Sequence, residues 1–358
     1  MSAPLAEIFP VGEMLADELD ARGWTQVEFA EVLGRPAQFV SEILTGKKEI
    51  TRDSATQIAA ALGTSPEMWL KMQDRYHLWR QAQDGHTREQ LSDVRLRARL
   101  KDLAPVGVMR QRGLIKGATP SEQEREIKEL YGIDDINDEP EILVAARRSK
   151  ANEKVSSTQL AWVACVRRGA EGIDVGEFNR EALEDLASRL TRLITKPEDF
   201  ASLPSMFAEV GVRLVFVEAF PGSKMDGCSS LFGTGGPVIG ISGRGKRLDK
   251  VLFTLLHEVA HIHLGHLDKK PLIIDDQGES PTLGLEGPAN DLAASWVLPE
   301  KLPALPERVN QGWVTAVAAS QGIHPIVLIG RLQNEGRIPW RTTLVRDAPS
   351  VLTELAKW

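Results

Sequence analysis

The chain has 358 residues, 42% of them hydrophobic, which is enough for more than one domain with its own core. The net charge of −7 argues against a generic binder of polyanions, so any contact with nucleic acid must come from local patches. The sequence has no 18-residue apolar run, which argues against a membrane-spanning helix, and no signal-peptide pattern, which argues against export. It has only two cysteines, which argues against a disulfide framework. We therefore expect a cytoplasmic protein.

Residues 1–80 carry the start and stop signals of five consecutive helices. Capping residues begin the second and fourth helices at Thr25 and Thr51, and Pro36 suits the first position of the third. Apolar residues at helical spacing are expected to face inward: Met14, Leu15, Leu19, Phe29, Val32, Leu33, Ile58, Ala59 and Leu62. Two short helices joined by a glycine turn, inside a small all-helical domain, follow the helix-turn-helix plan.

Four stretches have a sequence typical of one group of such domains: residues 21–26, 33–36, 43–48 and 62–66. They are similar to the HigA/VapI-type antitoxins of the XRE helix-turn-helix class. The resemblance implies that helix 36–44 is the recognition helix, which enters the major groove of DNA. Base edges would be faced by Arg35, Gln38 and Ser41. Phosphates would be held by Gln26, Lys47 and Lys48.

The charge of this domain limits how it can bind DNA. Residues 1–80 contain 12 acidic and 8 basic side chains, a net charge of −4. An acidic domain has little non-specific affinity for DNA and a shallow salt dependence. We therefore expect a homodimer that binds a specific double-stranded operator, in its own promoter. The alternative is a module that binds only protein, such as a cognate toxin.

Residues 81–150 are charged and helical in pattern, and we interpret them as a helical connector with some core of its own. An arginine-rich helix is expected over 86–100 and an exposed helix over 120–131, with a turn at 108–113 between them. The acidic residues 134–141 indicate a boundary. Two further helices, 158–168 and 179–194, are expected to pack on the core of residues 151–300.

The centre of residues 151–300 is an H-E-x-x-H pattern inside an apolar helical run. Apolar side chains form one buried helix face at positions 248, 252, 255, 259 and 262. His257 and His261 are four apart on a neighbouring face, where two imidazoles can bind one zinc ion, and Glu258 beside them can take a proton from water. The alternative is a buried helix that happens to carry histidines, although these side chains are costly to bury without a metal or partner.

A third ligand is expected downstream, because His263 and His266 project from other sides of the same helix. Glu286 is the candidate, since Pro288 fits only in a first helical turn and therefore places Glu286 at a helix start. The alternatives are a surface glutamate at position 286, or Glu279 as the ligand.

The residues that follow Glu286 support this choice. Asn290 lies one turn later and could orient a histidine from the second shell of the site. Ala289 and Ala293 are small, so this helix can approach the histidine helix closely.

Residues 200–300 combine four features: a strand-like stretch at 211–217, a glycine-rich stretch at 227–233, the H-E-x-x-H helix, and E-x-x-A-N before Leu298-Pro299. Together they resemble the ImmA/IrrE family of zinc metallopeptidases. The family pattern usually reads E-x-E-A-N-x-F-A; here Pro288 replaces the second Glu and Leu292 the Phe. The resemblance implies an α+β zincin-like domain that cuts transcriptional repressors.

Residues 314–325 lead through a glycine turn into residues 326–333, and this pattern is typical of a second helix-turn-helix in many ImmA/IrrE proteins. We prefer a structural interpretation, in which residues 301–358 form a helical cap on the peptidase. His324, next to a proline, is expected in a loop and not as a ligand.

These patterns predict a multidomain, mainly α-helical protein with an all-α helix-turn-helix domain (1–80), a connector (81–150), an α+β zincin-like peptidase (151–300) and a cap (301–358). The predicted function is a DNA-binding transcriptional regulator with a zinc-dependent endopeptidase. Its substrate would be a regulator of the repressor or antitoxin type in a stress response, or the chain's own linker near residues 80–150. The oxyanion donor stays open between His263, His266 and a backbone N–H. The alternative function is a non-proteolytic HigA-like antitoxin and autorepressor, whose zincin domain is a sensor or docking module.

Overall fold

A computed structural model describes residues 8–142, 155–231, 235–276, 284–298 and 301–358. Glu279, the alternative to Glu286 as the third ligand, lies outside these residues, as does Pro299. The chain divides into two compact units, residues 1–95 and 96–358. This division differs from the predicted boundaries at 80, 150 and 300, because the described part of residues 96–142 shares a core with later helices.

The first unit is built from the helices that the capping signals predict. Their bounds are α1 Val11–Arg22, α2 Gln26–Leu33, α3 Ala37–Leu44, α4 Arg52–Leu62 and α5 Pro66–Gln83. The predicted capping box at Thr25 is present, and Thr51 forms a second one with Ser54. Leu15, Phe29 and Ile58 are fully buried in the core of this unit.

Two of the expected core positions in this unit are wrong. The side chain of Val32 is 55% exposed and that of Met14 is exposed as well. Helix α2 is only eight residues long and buries Phe29 and Ala30, so Val32 falls outside this narrow buried face. Spacing alone does not distinguish the two sides of such a short, mostly apolar helix.

Gly12 sets the distance between α1 and α3. A Cβ atom at this position would lie 2.5 Å from the carbonyl oxygen of Leu44, the last residue of α3. The missing side chain of Gly12 therefore lets α1 pack directly on the backbone of the predicted recognition helix.

The second unit begins within α6 (Gly85–Leu103) and continues with α7 Val106–Gln111, α8 Pro120–Tyr131 and α9 Ser157–Ala170. Helix α7 corrects the turn predicted at 108–113. Leu100, Met109 and Ile127 lie in one core with Trp162 of α9, and Ile136 from the predicted boundary segment joins them. These residues therefore lie in the second unit and share one of its cores.

A four-stranded sheet lies at the centre of the second unit, with β1 Arg213–Phe216, β2 Met225–Leu231, β3 Pro237–Ile241 and β4 Leu272–Asp276. The order is β1-β3-β2-β4, in which β1 and β3 are parallel and the other pairs antiparallel. Side chains from one face of the sheet join one core: Leu214, Ile239 and Ile273. Their neighbours join the other core: Val215, Val238, Leu272 and Ile274. Both faces of the sheet are therefore covered, and even Ser229 and Ser230 of β2 are buried.

The core on one face of the sheet is completed by the remaining helices. They are α10 Arg180–Leu193, α11 Leu203–Glu209, α12 Leu248–His263, α13 His266–Lys269, α14 Glu286–Val297, α15 Gln311–Gln321, α16 Pro325–Asn334 and α17 Leu352–Leu355. Val314 and Leu328, from the predicted cap, lie in this core with α12. The backbone N–H of Leu248 donates to the Pro349 carbonyl (3.0 Å), so the C-terminal segment is attached to the start of α12.

Among the described residues, no single helix has the length and apolar composition needed to cross a membrane. Helices α15 and α16 meet those criteria only as a pair, and they are bent by 108°.

We predict that Gly12→Ala destabilises the first unit by about 1–3 kcal/mol, because the new methyl group must displace the backbone of Leu44. Hydrogen exchange of the amides of α1–α5 measures this unit separately from the rest of the chain. Gly85→Ala is the matched control, since a Cβ there meets no atom within 4 Å. Equal exchange in the two variants would contradict the packing described for Gly12.

Candidate functional site

Helix α12 places His257, Glu258 and His261 in the interior of the second unit. It packs against β2 and β3 on one side and against α14 on the other. The predicted apolar face is buried as expected, from Leu248 to Ile262. His257 is 3% exposed, while Glu258 and His261 are fully buried. Three polar side chains are therefore held inside an otherwise apolar core.

The structure brings His257, His261 and Glu286 together. The Nε2 atoms of the two histidines are 3.0 Å apart, and Glu286 Oε2 lies 3.1 Å from His257 Nε2 and 3.6 Å from His261 Nε2. Glu286 is the first residue of α14, as Pro288 predicts. Ala289 and Ala293 are fully buried in the core that contains α12. Small residues thus bring the carboxylate to the histidines.

The ionisation of these groups follows from their burial and their contacts. Burial raises the pKa of Glu286, but its contacts with His257 and His261 outweigh this effect and hold the pKa well below its ordinary value. Burial also lowers the pKa of His261, and the neighbouring Glu286 carboxylate opposes this only in part. The ionised carboxylate of Glu286 and the neutral imidazole of His261 are the forms in which such side chains bind metal ions.

This donor set fits a zinc ion. Two imidazole nitrogens and one carboxylate oxygen are the ligands of many catalytic zinc sites. Tetrahedral zinc, with ligands at about 2.0–2.1 Å, separates its ligand atoms by roughly 3.4 Å. The three separations between His257, His261 and Glu286, from 3.0 to 3.6 Å, surround that value.

His266 and His263 lie away from the converging Nε2 atoms, so neither is placed as the oxyanion donor. His266 Nδ1 is 2.8 Å from His261 Nδ1, on the far side of that ring. Burial, with the nearby His261 next, lowers the pKa of His266 to about 4. His263 instead faces Glu184 (3.8 Å) and the ring of Trp296. The expectation that His266 projects away from His261 is wrong, because Gly265 turns the chain at φ 68°.

Glu258 lies against strand β2. A Cβ atom at Gly227 would be 2.7 Å from Glu258 Oε1 and 3.0 Å from Thr254 Cγ2, so a larger residue there would require this carboxylate to shift. The pairing of β2 with β4 shifts register between Met225 and Gly227. Burial, together with the charge of Glu258, raises the pKa of the neighbouring Cys228 thiol well above its ordinary value. The sequence indicated Gly227 only as part of a glycine-rich stretch.

A cleft of about 500 Å³ opens beside His257 and Glu286. Its walls include Phe253 of α12 and Trp340, which is 58% exposed. Asn290 lines this cleft together with His257 and is exposed, since Ala289 before it faces the core that contains α12. Its expected role in orienting a histidine stays a prediction.

The side chains predicted to contact DNA are mostly on the surface of the first unit. Gln26, Arg35, Gln38, Lys47 and Lys48 are exposed, and Ser41 is half-buried. Several of them contact residues of their own unit that the sequence did not indicate. Glu42 accepts from Gln38 Nε2 (2.9 Å) and pairs with Lys48 (3.3 Å). Gln57 accepts from Arg35 Nε (3.1 Å).

Phe39 lies between two of these cations. Arg35 and Lys48 are each 5.3 Å from the centre of its ring. These cation–π contacts and the bonds of Glu42 hold long basic side chains beside α3. The order of these side chains reduces the entropy that is lost when they bind a ligand.

Comparison with known proteins concerns the first unit. A family model described as helix-turn-helix matches residues 15–69. An uncharacterised helix-turn-helix transcriptional regulator of Escherichia coli K12, YddM, is 31% identical over 67 residues, which are 19% of this chain and 71% of that protein. The antitoxin HigA-1 of Vibrio cholerae is 41% identical over 70 residues, 19% of this chain and 66% of that protein. A candidate antidote protein of a plasmid maintenance system from Nostoc punctiforme, known from its crystal structure, is 34% identical to this chain. The match covers 24% of this chain and 94% of that chain, with a TM-score of 0.23.

We predict that Gly227→Ala destabilises the second unit by about 1–3 kcal/mol, because its methyl group collides with the buried Glu258 carboxylate. Hydrogen exchange of α12 and β2 measures the effect. Gly107→Ala in α7 is the control, since a Cβ there meets open space. Unchanged exchange in α12 after Gly227→Ala would mean that Glu258 does not lie against β2.

Proposed function

Because the chain belongs, through its first unit, to the helix-turn-helix transcriptional regulators, we propose that it is a DNA-binding regulator whose second unit is a zinc-dependent endopeptidase. The observation that carries the second half is the convergence of His257, His261 and Glu286, two of which, His257 and Glu286, line a cleft. This geometry also supports the resemblance to the ImmA/IrrE metallopeptidases. The cytoplasmic location stays a prediction.

In the DNA-binding half, α3 is the recognition helix of a homodimer on an inverted operator. The names of the relatives, a transcriptional regulator and an antitoxin, support this assignment. Arg35, Gln38 and Ser41 face base edges, and Glu42 fixes the orientation of Gln38. Gln26, Lys47 and Lys48 contact phosphates. The acidic balance of residues 1–80 makes these few contacts decisive, since general attraction to DNA is weak.

In the peptidase half, His257, His261 and Glu286 would hold zinc, which would supply Lewis-acid chemistry toward water and a peptide carbonyl. Glu258 is the general base: it takes the proton of the attacking water and passes it to the leaving amine. Since His263 and His266 lie elsewhere, the oxyanion donor is a backbone N–H or a group on the cleft wall.

The substrate is a separate regulator of the repressor or antitoxin type, acting in a stress response. The other predicted substrate is the chain's own linker near residues 80–150. Within residues 96–131 of that stretch, Leu100, Met109 and Ile127 anchor the helices in a core, so cleavage inside those helices requires them to unfold. An endopeptidase cleft accepts an extended chain, which a packed helix does not offer.

A non-proteolytic antitoxin with a cognate toxin as partner is the second candidate. The 41% identity to an antitoxin over 70 residues favours it. In this alternative the zinc site senses metal or docks a protein, and Glu258 transfers no proton.

For DNA binding, we expect Arg35→Ala and Gln38→Ala each to weaken operator binding by about 1–3 kcal/mol, because each removes a contact to a base edge. Footprinting of the upstream region locates the operator, and titration at several salt concentrations gives the affinities. The control is Arg308→Ala, at an exposed arginine of the second unit, which removes the same positive charge as Arg35→Ala. If all three variants bind alike, α3 is not the recognition helix.

For proteolysis, we expect Glu258→Gln to reduce cleavage of a regulator by about 10²–10⁴-fold, because the amide cannot accept the proton of water. Zinc content and operator binding should stay as in wild type, whereas His257→Ala should lose zinc. The assay follows regulator fragments by mass spectrometry in cells under DNA damage or metal stress. Fragments that are equally abundant with Glu258→Gln would favour the non-proteolytic antitoxin.

A further inference from the structure

We propose that His266 is a positioning residue of the candidate metal centre: it accepts a hydrogen bond from His261 Nδ1 and so keeps the lone pair of His261 Nε2 available for a metal ion. The inference rests on the proposed zinc site, but the hydrogen bond it invokes exists without the metal.

The two imidazoles meet through their Nδ1 atoms. These atoms are 2.8 Å apart, and the rings cross at 61° with their centres 5.0 Å apart. His261 is fully buried and His266 is 6% exposed. Water therefore has little access to this contact, and the two rings satisfy each other.

A sharp turn creates the contact. On a continuous helix, residues five apart face different sides. Helix α12 ends at His263, and Gly265 takes a left-handed conformation before α13 begins at His266. A Cβ at Gly265 would also lie 2.9 Å from Asp268 Oδ2. Glycine at this position therefore brings His266 back under His261.

The position of the proton follows from the chemistry of the rings. A neutral imidazole has one N–H donor and one nitrogen lone pair. His261 Nε2 faces His257 Nε2 and Glu286 Oε2, so it can serve as a metal ligand only if its proton is on Nδ1. His266 Nδ1 must then be the acceptor, and the proton of His266 is on its own Nε2. The opposite arrangement would place a proton on His261 Nε2 and block the site.

Partners of this kind orient the ligands of metal sites and raise their basicity. His263 cannot take this part, because its ring contacts Glu184 and Trp296. It is near in sequence and has the same chemistry, which makes it a matched control.

The experiment uses the full chain labelled with ¹⁵N-histidine, without metal and in zinc titrations. We expect His261 of the metal-free wild type to be the Nδ1–H tautomer. His266→Leu removes the acceptor, should shift His261 toward the Nε2–H tautomer and should weaken zinc binding by about 10–100-fold. His266→Asn offers an amide oxygen near the position of Nδ1 and should restore most of the affinity. His263→Leu should change neither property.

The tautomer and the zinc affinity separate the two proposals. A wild-type chain with the Nε2–H tautomer at His261 overturns the role of His266, whatever the variants do. Wild-type tautomer and affinity in His266→Leu also overturn it, while the zinc site stands. A wild type that binds no zinc, but whose His261 tautomer depends on His266, ends the proposed peptidase and leaves the positioning contact intact.

Discussion

The second unit depends on the burial of polar side chains of α12, which are two imidazoles and the carboxyl group of Glu258, with the half-buried Glu286 of α14 beside the imidazoles. A buried polar group costs free energy unless it finds a partner, and a buried charge costs more. His257, His261 and Glu286 meet this cost among themselves, at separations of 3.0–3.6 Å. Removing any one of these three side chains leaves the others with an uncompensated buried group. The cluster is thus an expensive element that a core built only for stability would not contain.

The surrounding fold accommodates this cluster with small residues and turns. Gly227 leaves space for Glu258, Ala289 and Ala293 let α14 approach, and Gly265 returns His266 to His261. The C-terminal segment is attached to the first turn of α12 by the bond between Leu248 and Pro349. These positions are distant in sequence, yet each one fixes the same group of side chains. The site is therefore a property of the whole second unit, not of the H-E-x-x-H helix alone.

The sequence predicted the features that depend on neighbouring residues in the chain. It did not predict features that depend on contacts between distant elements. The cap at Thr25, the buried face of α12 and the position of Glu286 after Pro288 all follow from neighbours within one turn. The exposure of Val32 and the outward turn of Asn290 depend on which side of a helix meets another element. The contact of His266 with His261 depends on a single left-handed residue, which makes helical spacing misleading. The division of the chain into two units also depends on long-range contacts, because the helices over 96–131 share a core with later elements.

The two units meet opposite physical demands. The first keeps its polar side chains at the surface and orders them through contacts such as Glu42 with Gln38, where binding a large polyanion needs accessible groups. The second hides its polar side chains in a core, where low polarity strengthens each electrostatic contact. On the proposed function, joining them gives the peptidase a high effective concentration toward proteins bound at the same operator. An acidic binding domain adds to this selectivity, because weak general attraction to DNA keeps the chain from spreading over non-specific sites. Selectivity for the substrate would then come from the operator that the chain binds as much as from the cleft itself.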